Sequence, residues 1–155
     1  MRGMLNGFPD ESLEIDYKSF AIVRNPYERF ASCIAMFTSG YFGKNIYRRN
    51  ITVKYILEIV DDSAIVYDKR CKNWFLKWHA MPMTSPEFCM DQVDRIFRFE
   101  TLHDDWPYIA EFVGIPAPPM PHIGKSKGEV TLSSADRGMI YDHFKADFEV
   151  FGYER

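Results

Sequence analysis

Arg24 and Ser32 are the residues best suited to hold an anion. Arg24 follows a short apolar run, Ser19 to Val23 (SFAIV), and precedes Asn25-Pro26. A guanidinium is a planar fork that matches a phosphate and stays charged at any working pH. Ser32, eight residues on, adds a hydroxyl that can donate to the same anion. The same two residues also have plainer uses, as a surface salt bridge and a small helix filler. A second basic-hydroxyl pair, Lys125 and Ser126, stands in HIGKSKG. It does not make a Walker loop, because Pro119 occupies the position of that loop's first glycine and APPMPHI is no strand. On the residues alone it reads as a solvated loop. His79 is the candidate general base, since histidine titrates near neutrality; in its aromatic surroundings it also reads as an ordinary half-buried side chain. Glu100 is expected to tie down a turn, with Asp104 and Asp105 capping the helix behind it. Trp74, Trp78 and Tyr67 read first as core and second as a surface on which a sugar ring could stack.

These side chains need elements to aim them. Ser19 to Val23 suits a buried strand, and Asn25-Pro26 then starts a helix: Asn25 as N-cap, Pro26 at the first position, Glu28 completing a capping box. Phe30, Ile34, Phe37 and Tyr41 put one apolar face on that helix, which ends near Gly40. Thr52 caps a second helix with Val53, Ile56, Leu57 and Val60 on one face. Residues 63–80 are expected to be a third, less regular helix, and Met81 to Pro86 a loop. Arg95 to Phe99 (RIFRF) reads as a second strand in the same sheet. A helix follows from about Asp104, with Trp106, Ile109, Ala110 and Val113 inward, stopping at Gly114. A last helix runs from about Ser133 to Phe148 with Ile140, Phe144 and Phe148 inward. Few strands among many helices means an α/β chain with a small parallel sheet, expected as one domain over 1–155 with residues 1–16 a loose arm.

Composition sets the bounds. The chain has 155 residues, 46% hydrophobic and 16% aromatic, enough for a real core. With 19 basic and 22 acidic residues the formal charge is −3, so there is no general field for a nucleic-acid backbone and an anion must meet a local site. Cys33, Cys71 and Cys89 are an odd, scattered set, and the four histidines lack ligand spacing; neither a disulfide framework nor a metal is expected. No apolar run is long enough to cross a membrane and the first residues carry no signal core. The expectation is a soluble protein of the cytoplasm.

The segment FAIVRNPYERFAS is similar to the 3'-phosphate-binding motif of the carbohydrate and membrane-type sulfotransferases: a strand, then Arg-Asx-Pro-aromatic-Glu-Arg, then Ser eight residues after the first Arg. Asp94 to Gly114 (DRIFRFETLHDDWPYIAEFVG) resembles the late strand, turn and helix of that family. His79 and Pro82 resemble its His-x-x-Pro loop, and the closing ADFEVFGY its C-terminal helix. The resemblance covers about residues 17–153. It implies a P-loop-type sulfotransferase fold, 3'-phosphoadenosine 5'-phosphosulfate as sulfuryl donor, and Arg24 and Ser32 as the grip on its 3'-phosphate. Lys125 and Ser126 fall where the family brings a late basic-hydroxyl pair to the nucleotide.

The resemblance also implies a Pro-Lys-x-Gly-[Thr/Ser] loop for the 5'-phosphosulfate, and residues 1–18 contain no such order. The expected function is therefore sulfuryl transfer to a hydroxyl, of a carbohydrate, by a chain that lacks this loop and is inactive when isolated. The alternative is a non-catalytic relative that binds a nucleotide or a protein. Loss of the loop's strand should leave a strand edge and an apolar face uncovered, so a homodimer or a partner chain is expected.

Overall fold

Strand β1 (Phe20–Val23) and strand β2 (Arg95–Arg98) pair in parallel, Phe20 opposite Arg95 and Val23 opposite Arg98. This computed structural model describes residues 18–38, 51–66, 72–120 and 130–155. Parallel strands need a crossover connection. Here it contains α1 (Pro26–Thr38), α2 (Val53–Asp61) and α3 (Lys72–Ala80). After β2 come α4 (Leu102–Val113), α5 (Ser134–His143) and α6 (Lys145–Phe151). The architecture is the helix-rich α/β arrangement with a small parallel sheet that the sequence predicts.

Pairing and the two-residue period put Phe20, Ile22, Arg95 and Phe97 on one sheet face. Phe97 meets Phe20 at 5.9 Å and Tyr108 of α4 at 6.0 Å, both edge-on. The register is pinned at the start of the strands. Asp94 Oδ2 accepts from the Ser19 amide at 2.6 Å and from its hydroxyl at 2.9 Å, and these bonds hold its carboxyl below the usual carboxylate range.

The core is helical. Tyr27, Phe30, Cys33, Ile34 and Phe37 of α1 pack with Ile56, Leu76, Ile140, Phe144 and Phe148. Phe30 meets Phe144 edge-on at 5.1 Å, and Tyr27 meets Phe148 at 4.9 Å. Thr52 caps α2 as expected, its hydroxyl accepting from the Tyr55 amide at 3.2 Å. Val53, Ile56 and Ile59 are buried there, with Leu57 and Val60 at the margin. Gly114 closes α4 at φ +74°, where a side chain would be strained.

Three expected helix bounds need correction. The third helix does not reach back to residue 63: residues 63 and 64 form a turn and α3 begins at Lys72. Helix α4 begins at Leu102, so Asp104 and Asp105 lie in its first turn rather than at its cap. The last helix is two helices, broken at Phe144 (φ −109°, ψ 23°). Ile140, Phe144 and Phe148 are all buried nonetheless, since their spacing keeps one apolar face across the break. Ser133 starts α5 through a full capping box with Asp136. Gly40, Tyr41, Tyr67 and the arm 1–16 lie outside the described residues.

Candidate functional site

Val23 ends β1 fully buried, and Arg24 leaves the sheet at its C-terminal edge. β2 delivers Arg98, Phe99 and Glu100 to the same edge. Ligands of open parallel sheets collect outside the carboxyl ends of the strands, and here both strands supply side chains to that place. The Arg24 guanidinium lies over the Phe99 ring, 4.6 Å from its centroid. Its ion partner is Glu28 on α1, at 3.6 Å and 59% exposed. Such an exposed pair is worth about 0–1 kcal/mol, so an arriving anion of higher charge can displace Glu28.

Asn25 is the helix cap that its position predicts: Oδ1 accepts from the Tyr27 amide at 2.9 Å. The expected capping box does not form. The Asn25 amide donates to Glu100 Oε1 at 2.8 Å, and Glu28 turns to Arg24. Glu100 arrives on the end of a paired strand, while Arg24 offers Glu28 a full opposite charge. Pro26 has no N–H, and the amides of Asn25 and Tyr27 are already committed. An anion here would therefore depend chiefly on the Arg24 side chain rather than on the helix start.

Ser32 is half-buried on α1. Residues 24, 28 and 32 follow one another at helical spacing, so Ser32 lies on the side of α1 that Arg24 and Glu28 share. His79 is placed elsewhere. Its ring packs edge-on against Phe37 at 5.7 Å, and Phe37 is eleven residues past Pro26, about 16 Å along the helix axis. Its Nδ1 lies 2.7 Å from the Phe75 carbonyl. A carbonyl can only accept, so Nδ1 carries the proton. Lys125 and Ser126 lie outside the described residues.

A second set of polar contacts involves Arg29 of α1. Asp147 of α6 is 2% exposed and accepts from the amides of Met83 and Thr84 at 2.8 and 2.9 Å, and from the Thr84 hydroxyl at 2.7 Å. It thereby pins the loop after α3. Arg29 lies 3.9 Å from it; burial pushes that guanidinium below its ordinary value while Asp147 acts against the shift. Burial likewise pushes the Cys33 thiol up to about 12. Trp78 packs on Phe88 at 5.0 Å, and Arg29 lies over the same ring at 5.6 Å.

The sequence predicts Asn25 as the helix cap and Glu100 as a tie for the turn, and the structure shows both; it places Arg24 where β1 ends. The sequence reading missed Phe99 as the ring beneath Arg24, and Arg98, which donates to the Phe151 and Gly152 carbonyls at 2.6 and 3.1 Å. Tyr153, whose hydroxyl reaches Glu100 Oε2 at 3.0 Å, was missed too. The only local signal for it was the FGY that ends the last helix. Among the described residues, no group of three or more His, Cys, Asp and Glu is arranged to hold a metal, and no helix is long and apolar enough to cross a membrane.

No curated protein and no solved structure matched the chain. A family model described as the sulfotransferase family matches residues 4–154. That match includes both strands, the Arg24 turn and the closing helix, and with it the chain belongs to the sulfotransferase family.

Proposed function

We propose that this chain binds 3'-phosphoadenosine 5'-phosphosulfate at the C-terminal edge of its sheet, Arg24 and Ser32 holding the 3'-phosphate. Lys125 and Ser126 would add further contacts. The observation that carries this reading is the place of Arg24 at the end of a parallel strand, ahead of a capped helix, in a chain of the sulfotransferase family. The reaction is transfer of a sulfuryl group to a hydroxyl, of a carbohydrate. The bond from sulfur to the 5'-phosphate oxygen breaks, a bond from sulfur to the acceptor oxygen forms, and the hydroxyl proton passes to a base. Charge on the departing phosphate needs a cation, and residues 1–155 contain no Pro-Lys-x-Gly-[Thr/Ser]. On this reading a segment beyond these residues supplies it. Free Cys33 and Cys89 support a reducing compartment such as the cytoplasm.

Titration calorimetry tests the site. Adenosine 3',5'-bisphosphate should bind about ten- to a hundredfold more tightly than adenosine 5'-monophosphate, since only the former reaches Arg24 with a second phosphate. Equal affinities would refute the 3'-phosphate grip. The lack of a lysine loop favours a second reading, a non-catalytic nucleotide-binding relative. Sulfuryl transfer restored by adding a lysine-loop segment would exclude it.

A self-associated or partnered state also belongs to this proposal. Among the described residues β1 pairs only with β2, and Ile22 and Ile96 remain 38% and 43% exposed. Light scattering showing a clean monomer at micromolar concentration would count against it.

A further inference from the structure

The two oxygens of Glu100 face opposite ways in the chain. Oε1 accepts from the Asn25 amide at 2.8 Å, and Oε2 accepts from the Tyr153 hydroxyl at 3.0 Å. Asn25 in turn caps Tyr27. An unbroken run of hydrogen bonds thus leads from the end of the chain, through the turn after β2, to the first turn of α1 beside Arg24. The far end is itself fixed. Arg98 donates to the Phe151 and Gly152 carbonyls and lies over the Tyr153 ring, 4.8 Å from its centroid. Gly152 permits this approach: it sits at φ +64°, and a Cβ there would lie 3.1 Å from Arg98 Nη2. Burial and the neighbouring Glu100 charge both raise the Tyr153 hydroxyl above its ordinary value, so it remains a donor across the working range.

Glu100 follows Phe99 in the chain, and Arg24 rests on Phe99. A carboxylate loose at that point would be a rival anion for Arg24. We propose that Tyr153 and Glu100 are positioning residues for the anion grip: the Tyr153 hydroxyl holds the Glu100 carboxylate on the Asn25 amide and away from Arg24, leaving the guanidinium for a phosphate. The inference rests on the reading of Arg24 as the 3'-phosphate grip. It adds that the last residues of the chain set the strength of that grip.

Tyr153→Phe keeps the ring and its contact with Arg98 and removes only the donor. The test compares binding of adenosine 3',5'-bisphosphate and adenosine 5'-monophosphate to the 155-residue chain and its variants. Tyr153→Phe should lower the preference for the bisphosphate roughly three- to tenfold, with 5'-monophosphate affinity and melting temperature little changed. Adding Glu100→Gln to Tyr153→Phe should recover most of the preference, because the freed rival is then neutral. Full preference retained in Tyr153→Phe, or equal loss for both nucleotides, would overturn the proposal. If the unmutated chain shows no preference, the reading of Arg24 fails by itself, and amide hydrogen exchange without ligand then decides the relay. Faster exchange at the Asn25 amide in Tyr153→Phe supports it, and unchanged exchange overturns it.

Discussion

Arg24 and Phe99 meet across the ends of two parallel strands, the guanidinium 4.6 Å from the ring centroid. The contact ties the orientation of the proposed phosphate ligand to β2 as well as to its own strand. A flat cation on a flat ring is held in plane while its edge N–H groups stay free to donate.

Arg24→Ala should therefore remove most of the bisphosphate preference and leave 5'-monophosphate binding nearly unchanged. Arg24→Lys should recover only part, since an ammonium has neither the fork nor the flat face. Ser32→Ala should cost about 1 kcal/mol, one hydroxyl donor. Calorimetry on the three variants gives the ranking; a lysine variant equal to the unmutated chain would contradict it.

Glu28 pairs with Arg24 and on the proposed reading competes with the phosphate for it. Glu28→Gln should raise bisphosphate affinity about two- to fivefold, the range set by an exposed ion pair. The gain should shrink as salt rises, because salt screens the pair that was removed. A weakened affinity would show that Glu28 supports the site instead.

Asp147→Ala should be among the most destabilising single changes. It strands two amide donors and a hydroxyl of the loop at Met83 and Thr84, and leaves Arg29 half-buried beside a void. The expected loss is about 3–5 kcal/mol, read from urea unfolding. A loss below about 1 kcal/mol would mean that water replaces the carboxylate.

Cys33 and Cys89 should differ in reactivity. Cys89 is exposed, whereas Cys33 is buried with its thiol pushed from 9.0 up to about 12. At pH 8 a thiol reagent should label Cys89 and spare Cys33. The pH dependence has a definite sign. Between about 9 and 12 the unfolded chain has released the Cys33 proton while the folded chain keeps it. Stability contributed by this group is thus complete below pH 9.0 and falls as pH rises, by at most about 1.4 kcal/mol per pH unit. A Cys33→Ala variant should lack this part of the alkaline slope.

The strand–turn–helix at Arg24 was legible because its signals are local: an apolar run, a capping residue and a proline within a few positions. The capping box was misread for the same reason. Glu28 is the right residue at the right spacing, but the Asn25 amide is taken by Glu100, 75 positions away in the chain. The break at Phe144 was hidden because the spacing of Ile140, Phe144 and Phe148 is the same for one helix as for two. Asp147 looks in sequence like any acidic residue on a helix surface. Its burial comes from the loop that folds down on it, which no periodicity encodes.

The latch at the start of the sheet, Ser19 with Asp94, spans 75 residues, and so does the latch at its end, Asn25 with Glu100. The two work like marks on a ruler read at both ends. Lengthening or shortening the helices between the strands leaves both in step, whereas one residue added or lost between Ser19 and Asn25, or between Asp94 and Glu100, lets only one close. A change in crossover length thus leaves the sheet register untouched, whereas a change within either of the two seven-residue stretches that bound the sheet breaks one latch unless the other stretch changes with it.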